Sequence, residues 1–189
     1  MFKVLTLKES VRIPPSLFGM NISKAALKML REQYERTVDK NLGVIVALSN
    51  AKVTSKGKII PGDGAAYFDV TFDALVNLPE INEVVDGYVS EIVEFGAFVR
   101  IGPIDGLVHV SQVADDFLSY DKKTQTLVGR GSKKSVKKND LVRAKVATVS
   151  LKDSVLNSKI ALTMRPSGLG KSVKKQDGAK KRSKSKKKK

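Results

Sequence analysis

The stretch VVDGYVSEIVEFGAFVRIGPIDGLVHVS, residues 84–111, constrains the fold more than any other. Glycine recurs at 87, 96, 102 and 106 and proline stands at 103, so no helix of ordinary length fits between them. The residues in between come in short runs of β-branched, aromatic and other apolar types, which is strand composition. Three closely spaced strands are predicted, over 84–93, 95–101 and 106–110, with a bend at Gly96 and a turn at Gly102. A polar segment, QVADDFLSYDKKTQTLVGRGSKKSVKKND, then interrupts. Two more strands follow, over 141–149 and 155–163. Five short strands interrupted after the third match a small Greek-key barrel of the OB type.

The preceding residues are organised differently. Val4, Leu5, Leu7, Val11 and Ile13 make an opening strand, which Pro14-Pro15 ends because proline cannot donate to a sheet ladder. Asn21 or Ser23 offers a side-chain oxygen to cap a helix. Leu27, Leu30, Tyr34 and Val38 recur at helical spacing and form one core-facing stripe, with Gly43 as the breaker. A β-branched strand over LGVIVALSNAKV, a short strand, a tight turn at Gly62-Asp63-Gly64 and a last strand follow. In that last strand Phe68, Val70 and Phe72 alternate with polar residues, as in a strand with one buried face. The outline is β-α-β-β, ending near Leu78-Pro79. The Gly62-Asp63-Gly64 turn is not a phosphate loop, because no Gly-Lys-Ser or Gly-Lys-Thr follows it on a helix.

Three segments are therefore expected: an α+β unit over 1–79, an all-β barrel over 80–166, and a disordered basic tail over 167–189. The formal charge is +16, and residues 171–189 hold eleven Lys/Arg against one acid, a net +10 that leaves +6 for the rest. Such a tail cannot bury a core. It serves equally well as a solubilising terminus or as an arm that releases counterions from nucleic acid. The absence of cysteine excludes a disulfide framework, a thiol nucleophile and a thiolate metal site, and it fits a reducing intracellular location. No apolar run is long enough to cross a bilayer, and Lys3 and Lys8 interrupt any signal-peptide core. One histidine without cysteine, and Asp115-Asp116 without further spaced carboxylates, make no catalytic site. No cofactor or metal is expected.

Alternation along 95–101 puts Phe98 and Arg100 on one side and Ala97, Val99 and Ile101 on the other, with the Gly96 bend able to swing Phe95 outward. His109 falls on the neighbouring strand. On residues alone, these rings serve either as barrel core or as an outward platform for stacking bases, worth about 1–3 kcal/mol per base. Arg130, Lys133 and Lys134 lie in the interrupting segment, as a phosphate track or as a solvated loop.

The run Gly87 to Val113 resembles the first three strands of the S1 RNA-binding domain. Gly87, Val89, Phe95-Gly96-Ala97-Phe98-Val99 and Asp105-Gly106-Leu107-Val108-His109 carry the match, and NDLVRAKVATVS and SKIALTM resemble its closing strands. The resemblance implies that Phe95, Phe98 and His109 form the aromatic RNA face, with Lys159 as a basic contact; Arg100 is expected beside them by alternation along the strand. Ser150 stands where many S1 domains carry an aspartate. No set of base-reading residues is visible, so little sequence preference is expected.

Residues 1–166 as a whole are similar to the E′-type component of archaeal DNA-directed RNA polymerase, the counterpart of the seventh subunit of eukaryotic RNA polymerase II. MFKVLTLKESVRIPPSLFG and GKIIPGDGAAYFDVTFDALV carry that wider match. It implies a non-catalytic stalk subunit with an RNP-like tip, paired with the smaller F-type component of RNA polymerase and facing nascent single-stranded RNA. The tip that docks on the polymerase core would comprise Pro14, Pro15, Phe18 and Gly19 with Ile60, Gly62, Asp63 and Gly64. Location would be cytoplasmic in an archaeon and nuclear in a eukaryote. A free S1 module of translation or RNA decay, such as an exosome cap, leaves the first 79 residues unexplained. A nuclease with an S1 arm lacks catalytic residues.

Overall fold

The structure, a computed structural model, describes residues 1–122, 124–129, 131 and 135–171. The N-terminal half runs β1 (Phe2–Ile13), a 3-10 turn (Pro15–Leu17), α1 (Ile22–Tyr34), β2 (Val38–Asp39), β3 (Gly43–Val53), β4 (Lys58–Ile59) and β5 (Ala66–Asn77). The sheet order is β1-β5-β3-β2, with β4 also on β5, and all these pairings are antiparallel. Val70, Phe72, Ala74 and Val76 alternate inward along β5, as the sequence pattern requires. They meet α1, whose Ala25, Ala26 and Leu30 are buried in the same cluster. Burying Leu30 stabilises this packing by about 2 kcal/mol. Asn21 caps the helix, accepting from the Ser23 and Lys24 N–H groups at 3.0 and 3.4 Å.

The helix ends at Tyr34, well before the expected breaker at Gly43. Val38 is a strand residue, and Gly43 opens β3 at φ 81°. Arg36 turns the chain at φ 68°, its N–H donates to Ile45 O at 2.9 Å, and Ile45 N–H donates to Thr37 O at 3.0 Å. Pairing with β3 thus outcompetes the apolar stripe that would have prolonged the helix.

The C-terminal half contains β6 (Val84–Val93), β7 (Gly96–Arg100), β8 (Asp105–His109), a 3-10 turn (Val110–Gln112), β9 (Leu118–Asp121), β10 (Thr126–Gly129), β11 (Ser135–Val136), β12 (Leu141–Ser150), β13 (Lys159–Thr163) and β14 (Gly170–Lys171). The order is β13-β8-β7-β6-β12, and β12 pairs with β13 to close a five-stranded barrel. Only β8 and β13 run parallel in it. Val89, Ala97, Val99, Val108, Val146 and Leu162 fill its interior. At Gly96 a Cβ would lie 2.2 Å from Val108 O, so β7 and β8 approach this closely only through glycine.

Three expectations change here. The interrupting segment is not merely polar loop: β9, β10 and β11 form a small sheet with Leu127 and Val136 buried. The final barrel strand begins at Lys159 rather than at 155, because the Ser158 hydroxyl donates to Ser154 O at 2.8 Å and accepts from Lys152 N at 3.1 Å, closing a loop. The tail does not start at 167: Gly170 and Lys171 pair with Arg143 and Val142 of β12, and Lys171 Nζ reaches Asp140 at 2.7 Å. Residues 172–189 lie outside the described residues.

The two halves meet at a crowded joint. Val44 of β3 packs into the barrel cluster. A Cβ on Gly43 would lie 2.3 Å from Asn77 O, and one on Gly102 would lie 3.1 Å from the Phe2 ring. The connecting residues are tied on both sides. Lys3 pairs with Glu80 at 2.7 Å, and the amine of Met1 pairs with Glu83 at 2.9 Å. Asn82 N–H donates to Val146 O at 2.9 Å, and Val146 N–H donates to Glu83 O at 2.8 Å.

Candidate nucleic-acid interface

Five cross-strand pairs run along β7 and β8, and three of them alternate on one side: Gly96 with His109, Phe98 with Leu107, and Arg100 with Asp105. Ala97, Val99 and Val108 point into the barrel, so the side chains of these pairs stand on its outer face. On β6, Tyr88 pairs with Arg100, and a bulge at Ser90 sets Glu91 opposite Phe98. Lys159 precedes Ile160, which pairs with Gly106, so Lys159 comes to the Asp105 end of β8.

Phe95 is 53% exposed, swung out by the bend before Gly96, and its carbonyl accepts from Val110 N–H at 2.9 Å. Phe98 is half-buried and meets Phe95 edge to face, with ring centroids 6.4 Å apart and an interplanar angle of 84°. His109 is exposed, and its Nδ1 accepts from Ser111 N–H at 3.3 Å and meets Ser111 Oγ at 2.9 Å. The imidazole is thereby held through one nitrogen, with Nε2 unpartnered among the described residues. The structure thus brings Phe95, Phe98, Arg100 and His109 together on one face.

The electrostatics of the face differ from a simple basic platform. Arg100 Nε donates to Asp105 Oδ1 at 3.2 Å, and Ser90 Oγ stands 3.4 Å from Asp105 Oδ2. Two cations, Arg100 and Lys159, are accompanied by two carboxylates, Glu91 and Asp105. Arg130, Lys133 and Lys134 lie outside the described residues. Sequence reasoning missed Tyr88, Ser90 and Asp105, because only the strand register puts them here.

A second cluster gathers where β1 and β5 meet the β4 hairpin. Arg12 forms a fork with Asp63 at 2.7 and 2.9 Å, and Asp63 also accepts from Tyr67 OH at 2.8 Å and Ala65 N–H at 3.1 Å. Hydrogen bonds from Arg12 first, then from Tyr67 and the Ala65 amide, hold the Asp63 carboxyl well below the usual carboxylate range. Asp63 therefore clamps the hairpin to β1. A Cβ on Gly64 would lie 3.9 Å from Pro15 Cγ, so the proline loop and the hairpin lie side by side. In these two loops Phe18, Ile60 and Ile59 are 51%, 49% and 78% exposed, and Met20 and Ile22, ahead of and at the start of α1, are exposed as well. Met20, Ile22 and Ile59 were not singled out by sequence, since an isolated apolar loop residue carries no signal of exposure.

Among the described residues no cluster of His, Cys, Asp and Glu could hold a metal ion, and no helix is long and apolar enough to cross a membrane. Residues 8–64 match the family model described as the SHS2 domain found in the N terminus of Rpb7p/Rpc25p/MJ0397, and residues 78–155 match the S1 RNA binding domain. DNA-directed RNA polymerase subunit Rpo7 of Sulfolobus acidocaldarius is 46% identical over 171 residues, covering 90% of this chain and 93% of that one. DNA-directed RNA polymerase II subunit rpb7 of Dictyostelium discoideum is 26% identical over 148 residues, 77% of this chain and 86% of its own. Ribonuclease R of Vibrio cholerae is 38% identical over 98 residues, 50% of this chain but only 12% of that protein, so the likeness there is to a part. With an SHS2 domain ahead of an S1 domain and this identity along nearly its whole length, the chain belongs to the Rpo7 family of DNA-directed RNA polymerase subunits.

Proposed function

We propose that this protein is a non-catalytic stalk subunit of an archaeal RNA polymerase, working in the cytoplasm. Residues 1–79 dock on the polymerase core through the proline loop and the β4 hairpin. Residues 80–166 hold the nascent single-stranded transcript, and the smaller F-type component of the polymerase pairs along the chain. The observation that carries this is the separation of two unlike surfaces. An exposed apolar tip stands where β5 begins, and the barrel with its outward aromatic face follows the joint where β5 ends. Docking suits the tip because Pro14 and Pro15 stiffen it before contact, which lowers the entropy lost on ordering.

The test separates the two surfaces. Phe18→Asp combined with Ile60→Asp puts charge into the apolar patch and is expected to reduce co-purification with the polymerase at least about ten-fold. RNA affinity of the isolated full chain should not change. Retained co-purification would refute docking through this tip.

The charge balance on the barrel face leaves phosphate attraction to residues around it, and the tail is the largest source. Removing 172–189 while keeping the β14 residue Lys171 is expected to flatten the dependence of RNA affinity on salt. The logarithmic slope should fall by about 0.7 for each phosphate that the tail neutralises. An unchanged slope, measured by filter binding across salt concentrations, would place the tail off the RNA.

A further inference from the structure

We infer that the Arg100–Asp105 pair beside Phe98 reads a base edge and gives the RNA face a preference for guanine; this rests on the RNA-binding reading above. A carboxylate in the middle of a phosphate-binding surface weakens it by repulsion, unless a cation neutralises it or it meets a base instead. Asp105 occupies such a place. It lies on the wall of a groove of about 620 Å³ lined also by Ser90, Phe98 and Arg100, with Leu156 among its other lining residues. Phe98 and Arg100 are two residues apart on β7, so the ring and the charged pair are separated by about 7 Å along the strand. A base stacked on Phe98 is thus within reach of the pair through its Watson–Crick edge.

The groups on offer select among bases. Asp105 Oδ1 receives Arg100 Nε at 3.2 Å, while Oδ2 has only the long 3.4 Å approach of Ser90 Oγ. An ionised carboxylate has about four acceptor sites, so Asp105 keeps acceptors free. The terminal amino groups of Arg100 have no partner among the described residues and remain donors. The ion pair fixes acceptor and donors side by side. Guanine alone presents two adjacent donors, N1–H and the 2-amino group, next to an acceptor, O6. Its donors meet Asp105 and its O6 meets Arg100. Uracil, cytosine and adenine each turn a lone pair toward the carboxylate at one of those positions, which leaves Asp105 unmatched.

The test uses the full chain and three short oligouridylates: one unaltered, one with a single central guanosine, and one with inosine there, which lacks the 2-amino group. Fluorescence anisotropy is expected to show about ten-fold tighter binding of the guanosine oligomer than of the all-uridine one, with inosine losing most of the gain. Asp105→Asn should bring the guanosine-to-uridine ratio to about one, whereas Phe98→Ala should weaken all three oligomers together. Equal affinity for the three oligomers would overturn the guanine preference and leave RNA binding standing. A preference that persists in Asp105→Asn would equally overturn the assignment to this pair. Failure of every oligomer to bind would remove the RNA-binding reading and this one with it.

Discussion

Alanine at Phe95, Phe98 and His109 together is expected to lower affinity for single-stranded RNA at least about thirty-fold. Two base–aromatic stacks at about 1–3 kcal/mol each set that floor, and loss of the imidazole adds to it. The barrel should survive, since Phe95 and His109 are exposed and contribute little to its core. Phe98 is half-buried and carries most of the stability cost, so the variant's melting temperature is measured alongside. Filter binding at one fixed ionic strength is the readout, because salt alone changes such affinities severalfold or more. An unchanged affinity in a folded variant would mean that no base rests on these rings.

Gly43→Ala is expected to be the most damaging single methyl in the N-terminal half. At φ 81° an alanine is held in the left-handed region, at about 1–2 kcal/mol. Its Cβ would also lie 2.3 Å from Asn77 O and 2.9 Å from the Leu78 Cα, which are backbone atoms that cannot rotate aside. The combined loss should reach about 3 kcal/mol or more, seen as a fall of roughly 10 °C in melting temperature. Gly62→Ala is the control. It has a similar φ of 89° but open space around the added carbon, so only the backbone term applies. If the two variants melt alike, contact at the joint is not what fixes glycine at 43.

These features were legible in the sequence to different depths. The strand over 84–93 and a helix cap at Asn21 or Ser23 were readable because their causes are local: alternation, glycine spacing, a side-chain oxygen ahead of its donor; the structure settles the cap on Asn21. The end of α1 was not, because Val38 chose between continuing a helical stripe and pairing with Val44, and the partner decided it. The small β9–β11 sheet was hidden because its strands are too short for any period to show. The aromatic members of the face followed from the S1 resemblance. The pairing of Arg100 with Asp105 followed only from register, and the engagement of Asp63 by Arg12 links residues 51 positions apart. Composition announced a basic chain, yet the described barrel face balances its charges, because composition does not say where acids fall.

The joint at Asn77 also has a mechanical meaning. β5 runs unbroken from Ala66 at the hairpin to Asn77, whose side chain is buried and whose carbonyl is wedged against Gly43. It is braced at both ends and along its sides, paired with β1 over its whole length and with β3 and β4 on the other edge, while the Arg12–Asp63 fork holds the hairpin end. A load placed on either end of β5 is therefore shared with its neighbours through the ladder instead of bending one strand alone.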